Sequence, residues 1–396
     1  MNVATKLAQD YNRAIESVLH YVEEGTTDQA ESMMTVPVSD YTDVDLWARE
    51  MELIFGRLPI LAALSVELPR PGDYKSMDYL GRPLLITRLK DGSVRAMLNV
   101  CTHRAMVVVK EGSGNCSRFV CPYHGWTYAN DGRLIGVSEA KKFGPIDKQS
   151  RGLTVLPSYE RAGLIFVVMT PGLEVDFEGF LGGMLDEIEP LGFDRWHYNG
   201  HRDIHGANWK VAYDGYLEGY HFATAHTQTV WPRSLSNVMH FEAHGPHLRI
   251  CYPHVSIVER LGGMPADERH KHENYGYDFV RTFFPNVSIF VAPEMTQIAQ
   301  LMPGPTHDRN TTRLYYLSPT KPENDRAQTE LDRMCTFFGD VTYEEDYLLG
   351  MQVQKGLNAH ATGDVVFGKN ERGNQLFHKY LAYYLANDPN APKPRL

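Results

Sequence analysis

The stretch CTHRAMVVVKEGSGNCSRFVCPYHGWTY, from Cys101 to Tyr128, decides how the chain is organised. It contains two short pairs of metal-ligating residues, Cys101 with His103 and Cys121 with His124, separated by seventeen residues. Two thiolates and two imidazoles form a four-ligand set for a thiophilic metal. Such a set fits either a structural zinc ion or a [2Fe–2S] cluster in which two Cys hold one iron and two His hold the other.

The order of the ligands favours the cluster over zinc. Each pair contributes one Cys and one His, so each loop can contact both irons, whereas a zinc finger usually groups Cys with Cys and His with His. We expect Pro122 to stiffen the second loop and Gly125 to let the backbone approach the cluster closely.

The pattern C-x-H, spacer, C-x2-H resembles the Rieske proteins, and the HGW-x-Y sequence from His124 to Tyr128 resembles the oxygenase branch of that family. One local departure is Arg104-Ala105-Met106, where His/Arg-Gly is more usual. We expect this departure to alter the packing of the first loop and to leave the ligands unchanged.

Length and composition predict about two domains with an ordinary hydrophobic core. The chain has 396 residues, of which 43 % are hydrophobic and 22 % charged, and its formal net charge is -10. This acidity argues against a nucleic-acid surface and is compatible with a basic redox partner. Five cysteines, an odd and sparse set, do not predict a disulfide framework.

We expect a cytoplasmic protein without a membrane segment. The N-terminal sequence lacks the apolar core of a signal peptide, and no run approaches the ~20 apolar residues needed to span a bilayer. A cytoplasmic location also suits the predicted cluster, because a reduced iron–sulfur centre is maintained there.

Changes in hydrophobic periodicity predict three parts. Residues 1–40 have helical spacing and form an N-terminal helical segment. The spacing is helical again over Tyr41 to Leu58 and becomes strand-like from Pro69, with a hairpin over Asp91-Gly92 whose second strand delivers the first ligand pair, and residues 41–170 form an all-β cluster domain. Residues 171–396 combine strand-like segments with helices and form a catalytic domain. The predicted fold class is therefore α+β.

A second candidate metal site lies in the motif Asp214-x3-Glu218-x2-His221-x4-His226. Two histidines with nearby carboxylates indicate a divalent iron held by two His and one carboxylate, which leaves coordination positions open for O₂. Residues five apart on a regular helix do not share a face, so we expect the helix to end or bulge at His226.

This motif resembles the mononuclear-iron signature of the Rieske non-heme iron oxygenases, and the resemblance covers residues 36 to 356. It implies a catalytic α subunit with an N-terminal all-β Rieske domain and a C-terminal helix-grip-like antiparallel sheet domain with covering helices. It also implies two cofactors, a [2Fe–2S] cluster and a mononuclear Fe(II). The implied cluster ligands are Cys101, His103, Cys121 and His124.

The resemblance implies a role for each residue of the second motif. His221 and His226 match the two iron-binding imidazoles. Glu218 matches the acidic residue that connects the iron site to the cluster ligand His124 of a neighbouring subunit, although many family members have the shorter Asp there. Asp214 matches a polar position beside the iron.

The third iron ligand lies late in the chain in this family. We predict Asp346, with Glu345 as the alternative, because an acidic pair is often followed in the family by a Gln-Lys/Arg-Gly-Leu sequence, here residues 354–357. A second interpretation is that these acids only stabilise a helix N-terminus electrostatically.

Together the two sites imply an oxygenase. The cluster transfers single electrons but has no open metal position, and the mononuclear iron has open positions but no electron store. The resemblance therefore implies hydroxylation of an aromatic or other apolar organic substrate with O₂ and NAD(P)H-derived electrons. Mono- and dihydroxylation and oxidative demethylation all stay open.

The chain has no G-x-G-x-x-G nucleotide-binding unit, so we expect a separate ferredoxin or flavin reductase to supply the electrons. The resemblance implies a homotrimer in which each cluster serves the iron of the next subunit. The presence of a β subunit stays open.

Alternatives remain for the substrate and for the class of protein. The aromatic residues expected in the pocket, Tyr216, Tyr220, Phe222 and Trp231, suit a flat apolar ligand or a quaternary ammonium group held against π faces. A Rieske electron-transfer protein without oxygenase activity needs only the first domain and contains two irons per chain instead of three. A zinc-stabilised binding module is colourless.

Overall fold

The computed structural model describes residues 3–388 and 390–396. Contacts divide these residues into two compact units. The larger unit contains the described residues up to Ile54 together with Glu178–Ile188 and Trp196–Leu396. The smaller unit contains Phe55–Phe177 and Glu189–Arg195.

Helices are concentrated in the larger unit. In the described part of the chain the α-helices are α1 (Val3–Glu24), α2 (Ser39–Thr42), α3 (Val44–Leu53), α4 (Ala140–Phe143), α5 (Phe177–Ile188), α6 (Trp209–Asp214), α7 (Phe222–Ala225), α8 (Ile257–Leu261), α9 (Asp325–Val341), α10 (Leu348–Asn358) and α11 (Arg372–Ala386). A π-helical turn, Thr342–Tyr347, joins α9 to α10.

Strands occur in both units. They are β1 (Met34–Pro37), β2 (Ile60–Leu64), β3 (Asp73–Tyr79), β4 (Arg82–Arg88), β5 (Val94–Leu98), β6 (Gly112–Asn115), β7 (Arg118–Val120), β8 (Thr127–Ala129), β9 (Leu134–Gly136), β10 (Val155–Leu156), β11 (Ser158–Arg161), β12 (Leu164–Val167), β13 (His197–Gly206), β14 (His240–His244), β15 (His247–Pro253), β16 (Tyr277–Phe283), β17 (Val287–Val291), β18 (Thr296–Pro303), β19 (Asn310–Ser318) and β20 (Asp364–Phe367).

The smaller unit consists of three antiparallel sheets, in the strand orders β10-β5-β4-β3-β6, β11-β12-β2 and β7-β8-β9. The predicted hairpin is confirmed: β4 pairs with β5, and Gly92 between them has a φ of 87°, which Gly adopts without strain. The second strand of the hairpin leads directly into Cys101, so regular sheet pairing fixes where the first ligand loop begins.

The larger unit is built on one seven-stranded antiparallel sheet, in the order β13-β19-β18-β17-β16-β15-β14. The segment that carries the second motif begins at α6, where the side chain of Asn208 accepts a hydrogen bond from the backbone N–H of Lys210 and caps the helix. These strands and helices confirm the predicted α+β class. None of the helices in the described part combines the length and apolar character that crossing a bilayer requires.

The two units differ from the division into residues 1–40, 41–170 and 171–396, whose boundaries remain predictions. Helix α3 belongs to the larger unit because its Glu50 is buried there. The Glu50 carboxylate pairs with the Lys210 ammonium group and accepts a hydrogen bond of 2.9 Å from the Trp209 indole. A buried carboxylate needs such partners, and this one finds them on α6.

Candidate metal centres

The two Cys/His loops of the smaller unit have the same backbone hydrogen bonding. In the first loop the Cys101 N–H donates to the Met106 carbonyl at 2.8 Å, and the Ala105 N–H donates to the Cys101 carbonyl at 2.9 Å. The loop that begins at Cys121 repeats both bonds, at the same two distances. Each loop is therefore a closed turn that offers one thiol and one imidazole.

The fifth residue of each loop has a left-handed backbone. Gly125 has a φ of 68°, and a Cβ atom added to it would clash with the Ser138 hydroxyl oxygen. Ala105 occupies the matching position with a φ of 55°. A left-handed conformation is favourable for Gly and strained for Ala, so the departure from the family pattern at Ala105 places strain in the first loop.

The side chains of the two loops meet in the core of the smaller unit. Cys101 and Cys121 are both 2 % exposed. The ring centroids of His103 and His124 are 4.6 Å apart. The His103 ring also stacks on Trp126 at a centroid distance of 4.9 Å, which holds its orientation.

These donor atoms fit a [2Fe–2S] cluster. Among the described residues, the buried Nδ1 atom of His103 has no hydrogen-bond partner, which leaves it available to a metal. Burial raises the pKa of the Cys121 thiol, so a cationic metal is needed to hold the thiolate. The Tyr128 hydroxyl lies 3.2 Å from the Cys101 sulfur, where a hydrogen bond tunes the reduction potential of a cluster.

In the larger unit, His221, His226 and Asp346 form a group whose ligand atoms lie within 4.8 Å of one another. The two Nε2 atoms are 3.1 Å apart, and the Asp346 Oδ1 atom lies 3.0 Å from His226 and 3.5 Å from His221. Ligands about 2.1 Å from a metal and at right angles to one another are about 3.0 Å apart. The three atoms therefore suit one face of an octahedral ion.

Irregular helix geometry brings these residues together. His221 immediately precedes the short helix α7, and His226 ends it with φ and ψ of -105° and 43°. The prediction that the helix ends at His226 is confirmed. Asp346 lies in the π-helical turn Thr342–Tyr347, and such turns are frequent at functional sites.

A glutamate contacts the outer nitrogen of each imidazole. The His221 Nδ1 atom hydrogen-bonds to Glu218, and the His226 Nδ1 atom donates to Glu345 at 2.6 Å. The hydroxyl group of Thr229 donates to the same Glu345 oxygen at 2.5 Å. Carboxylates in this position fix the tautomer of a metal-binding imidazole and increase its basicity.

The two adjacent acids therefore face different atoms of the site. Asp346 approaches the inner Nε2 atoms of both histidines, whereas Glu345 contacts the outer nitrogen of His226. Of the two candidates for the third ligand, Asp346 has the position that a shared metal requires.

The carboxylates control the charge of the site. Desolvation lowers the pKa of His221, but hydrogen bonds to Asp346 and Glu218 outweigh it and raise that pKa to about 10. Desolvation also lowers the pKa of His226, but the hydrogen bond to Asp346 and the charge of that carboxylate outweigh it, so this pKa rises as well. Three carboxylates around two imidazoles leave an excess of negative charge, most of which a divalent cation would offset.

Asp214 contacts neither histidine of this group. Its carboxylate accepts hydrogen bonds from the Tyr41 hydroxyl at 2.7 Å and from the His378 Nε2 atom at 3.0 Å. The Asn374 amide donates to its backbone carbonyl at 2.9 Å. Asp214 also lines, with His221, a cavity of about 280 Å³. Tyr41 and His378 come from α2 and α11.

A second cavity, of about 230 Å³, opens at the three ligand atoms. Its wall is mostly apolar. Aromatic side chains that line it are Tyr216, Phe222, Tyr252, Phe290, Phe337 and Phe338. The expectation for Tyr220 and Trp231 is wrong: they do not line the cavity and are 61 % and 47 % exposed, because the turns on either side of α7 direct them outward.

Two family models match the chain. The Rieske [2Fe-2S] domain matches residues 59–160, and the catalytic domain of the ring-hydroxylating alpha subunit matches residues 193–387. The first match contains all four residues predicted to hold the cluster, and the second contains the group of His221, His226 and Asp346.

Known proteins show the same relationship. The chain is 34 % identical over 198 residues to the chlorobenzene dioxygenase subunit alpha of Cupriavidus sp. (strain PS12), a match that covers 46 % of this chain and 42 % of that protein. It therefore spans less than half the length of that relative. It is 27 % identical over 364 residues to the carnitine monooxygenase oxygenase subunit of Escherichia coli (strain K12), covering 88 % and 93 %.

The fold agrees with a solved structure. A quaternary ammonium Rieske monooxygenase in complex with an inhibitor matches with a TM-score of 0.77 at 24 % identity, over 90 % of this chain and 96 % of that one. The two matched domains imply a [2Fe–2S] cluster and a mononuclear iron, as predicted from the sequence. The chain belongs to the Rieske non-heme iron oxygenases, as a catalytic α subunit.

Proposed function

We propose that this α subunit uses O₂ and electrons from a separate ferredoxin or flavin reductase to hydroxylate a small organic substrate. The observation that carries the proposal is the group of two imidazoles and one carboxylate, which opens onto a mostly apolar cavity. A cavity of this kind excludes water from the reacting carbon and orients a ligand by shape.

The site residues have separate tasks in this proposal. His221, His226 and Asp346 hold the iron, and the cluster is held by the four residues of the Cys101 and Cys121 loops. When bound, the iron activates O₂ and the cluster supplies single electrons. Glu218 and Glu345 orient the two imidazoles through their outer nitrogens.

Glu218 has a further task, which concerns a neighbouring subunit. It accepts a hydrogen bond from His221, so it is one step from the proposed iron ligands. We infer that it connects His221 to the cluster ligand His124 of the next subunit in a homotrimer. Glu keeps the charge and the acceptor atoms of the more usual Asp and has a longer reach.

Asp214 supports the position of Glu218 in this connection between subunits. Its hydrogen bonds to Tyr41 and His378 fix the end of α6, four residues before Glu218. It is therefore a positioning residue in the proposal, without contact to the reacting atoms.

The test removes one proposed iron ligand and leaves the cluster intact. We expect His221→Ala to contain two irons per chain instead of three, to keep the visible absorption of the cluster and to lose substrate-dependent O₂ uptake. His20→Ala, an exposed histidine on α1, is the matched control. O₂ uptake at the wild-type rate in His221→Ala would contradict the site assignment. A wild-type protein with only two irons would instead favour an electron carrier.

A second candidate function is oxidation of a carbon attached to the nitrogen of a quaternary ammonium compound. It is favoured by the relative matched over 93 % of its length, a carnitine monooxygenase. In the cavity, Phe222 and Tyr252 form an edge-to-face pair with centroids 5.6 Å apart, and such faces attract quaternary ammonium groups. O₂ uptake with γ-butyrobetaine, and its absence with toluene, would support this candidate over ring hydroxylation.

A further inference from the structure

The cavity beside the proposed iron site contains an ion pair that the iron chemistry does not use. Arg233 and Asp278 both line this cavity, and the Arg233 Nη2 atom lies 3.1 Å from Asp278 Oδ1. Among the described residues that line the cavity, Arg233 is the only Lys or Arg. Burying the Asp278 carboxylate costs free energy, and Arg233 is one of the partners that offset this cost.

The two partners of the pair are engaged to different extents. The side chain of Asp278 is 3 % exposed, and its second oxygen lies 2.9 Å from the Nε2 atom of His254. Both of its oxygens are therefore already bonded. A cationic ligand at Asp278 would have to displace Arg233 or His254.

Arg233 has hydrogen-bonding capacity left. Its side chain is 45 % exposed, and the bonds it makes to Asp278 and to the Asn274 carbonyl both use Nη2. Within the described part of the chain, its Nε and Nη1 atoms make no hydrogen bond. Nε and Nη1 lie on opposite edges of the guanidinium group, so each can donate a charge-assisted hydrogen bond to one oxygen of an anion.

The backbone holds Arg233 in place. Its N–H donates to the Val230 carbonyl at 3.0 Å, and its carbonyl accepts from the Val255 N–H at 2.9 Å. The next residue, Ser234, forms a β-bridge with His254. The backbone of this segment is thus paired with the residues that follow β15, which fixes the point from which the Arg233 side chain extends.

We propose that Arg233 binds a carboxylate group of the substrate, and that this oxygenase acts on organic acids. The carboxylate lies at Arg233 and the reacting carbon lies toward His221, His226 and Asp346. This inference rests on the proposed function and names the substrate class of the same cavity. Arg233 is a specificity-determining residue, and it takes no part in the oxidation step.

The size of the cavity is compatible with such a substrate. A cavity of about 150 Å³ holds a benzene molecule. The cavity here has about 230 Å³, which leaves room for a ring or a short chain together with a carboxylate. Both a single-ring acid and an acid with a quaternary ammonium group satisfy the proposal, because both have the anion that the guanidinium recognises.

The test measures binding without turnover. Four probes form two matched pairs, anthranilate with 2-aminobenzamide and γ-butyrobetaine with its primary amide, and in each pair a neutral amide of similar shape replaces the carboxylate. Calorimetry uses the iron-loaded holoenzyme without reductant. We expect the acid of at least one pair to bind at least 10-fold more tightly than its amide. We expect Arg233→Gln to lower the affinity for that acid by about 10- to 100-fold, as for a lost charged hydrogen bond. The affinity for the amide should change less than twofold.

Control variants separate recognition from folding. Arg233→Lys keeps the charge but loses the Nε and Nη1 donors, so its affinity for the acid falls between wild type and Arg233→Gln. The double variant Arg233→Gln/Asp278→Asn leaves no unpaired carboxylate at position 278. Its affinity for the acid must fall by the same factor as in Arg233→Gln. Arg326→Gln, which removes an exposed ion pair on α9, must bind the acid as wild type does.

The outcomes distinguish this proposal from the proposed function. Three outcomes would overturn the proposed carboxylate site. The wild type could bind acids and amides equally, Arg233→Gln could lose the same affinity for both probes of a pair, or neither acid could bind. Binding of an acid through Arg233 without O₂ uptake on addition of reductant would overturn the proposed oxygenase function and leave the carboxylate site standing.

Discussion

The two candidate metal sites are built over very different lengths of chain. The four proposed cluster ligands come from one stretch, Cys101 to His124, and each loop is closed by its own backbone hydrogen bonds. The iron group combines His221 and His226 with Asp346, which belongs to a distant π-helical turn. The ligand spacing of a local site can be recognised in the sequence. A site assembled from distant segments depends on the fold to bring its ligands together.

The strongest test of this contrast removes one ligand from each site. We expect Cys121→Ala to lose the whole cluster, with its visible absorption and two of three irons, because both loops bind one centre. We expect His226→Ala to lose a single iron and to keep the absorption. Iron analysis and visible spectroscopy measure both effects. Cys335→Ala, a half-buried residue on α9, is the control. A full visible spectrum in Cys121→Ala would argue against the cluster assignment.

The next test separates the two adjacent acids of the distant segment. Asp346→Asn removes a proposed ligand, so we expect ferrous iron to be lost on dialysis while the cluster remains. Glu345→Gln removes only the acceptor behind His226, so we expect about 10- to 100-fold weaker iron binding. Titration of the iron-depleted site with Fe(II) measures both. A larger loss in Glu345→Gln than in Asp346→Asn would reverse the two assignments.

A smaller effect is expected within the cluster loops, at the left-handed position. Gly125→Ala introduces backbone strain and a contact with the Ser138 hydroxyl oxygen, so we expect the free energy of unfolding to fall by about 2 kcal/mol. Thermal and urea unfolding of the holoprotein measure it. The double variant Gly125→Ala/Ser138→Ala should recover the part of the free energy of unfolding that the contact with Ser138 removes. If the double variant recovers nothing, backbone strain alone accounts for the loss.

The smallest effect is expected in the other loop, and it has the opposite sign. Ala105→Gly relieves the strain of a φ of 55°, so we expect the free energy of unfolding to rise by about 1 kcal/mol. Urea unfolding measures the change, and the visible spectrum of the cluster should not alter. A decrease in stability would mean that the Ala105 methyl group makes a contact worth more than the strain.

The sequence was sufficient for the parts of the molecule that have short-range patterns. The cluster domain, the hairpin over Asp91-Gly92 and the end of the helix at His226 follow from ligand spacing, turn chemistry and helical periodicity. The α+β class follows from the change of period along the chain. Each of these signals lies within a few residues, so the fold has little opportunity to override it.

The choice between Glu345 and Asp346 needed the structure. Successive residues on an α-helix point about 100° apart, so the phase of the helix decides which carboxylate faces the histidines. The π-helical turn changes that phase, and the sequence carries no clear sign of it. Arg233 and His378 were missed for a related reason, because an isolated charged or His residue becomes informative only once its neighbours in space are known.

The carboxylates behind the two imidazoles have a practical consequence. Hydrogen bonds from the outer nitrogens to Glu218 and Glu345 determine the ring orientations from within the protein itself. The site should therefore keep its shape after chelation and accept a surrogate ion. Cobalt(II), whose colour depends on coordination number, then becomes a direct optical reporter of how many protein atoms surround the ion.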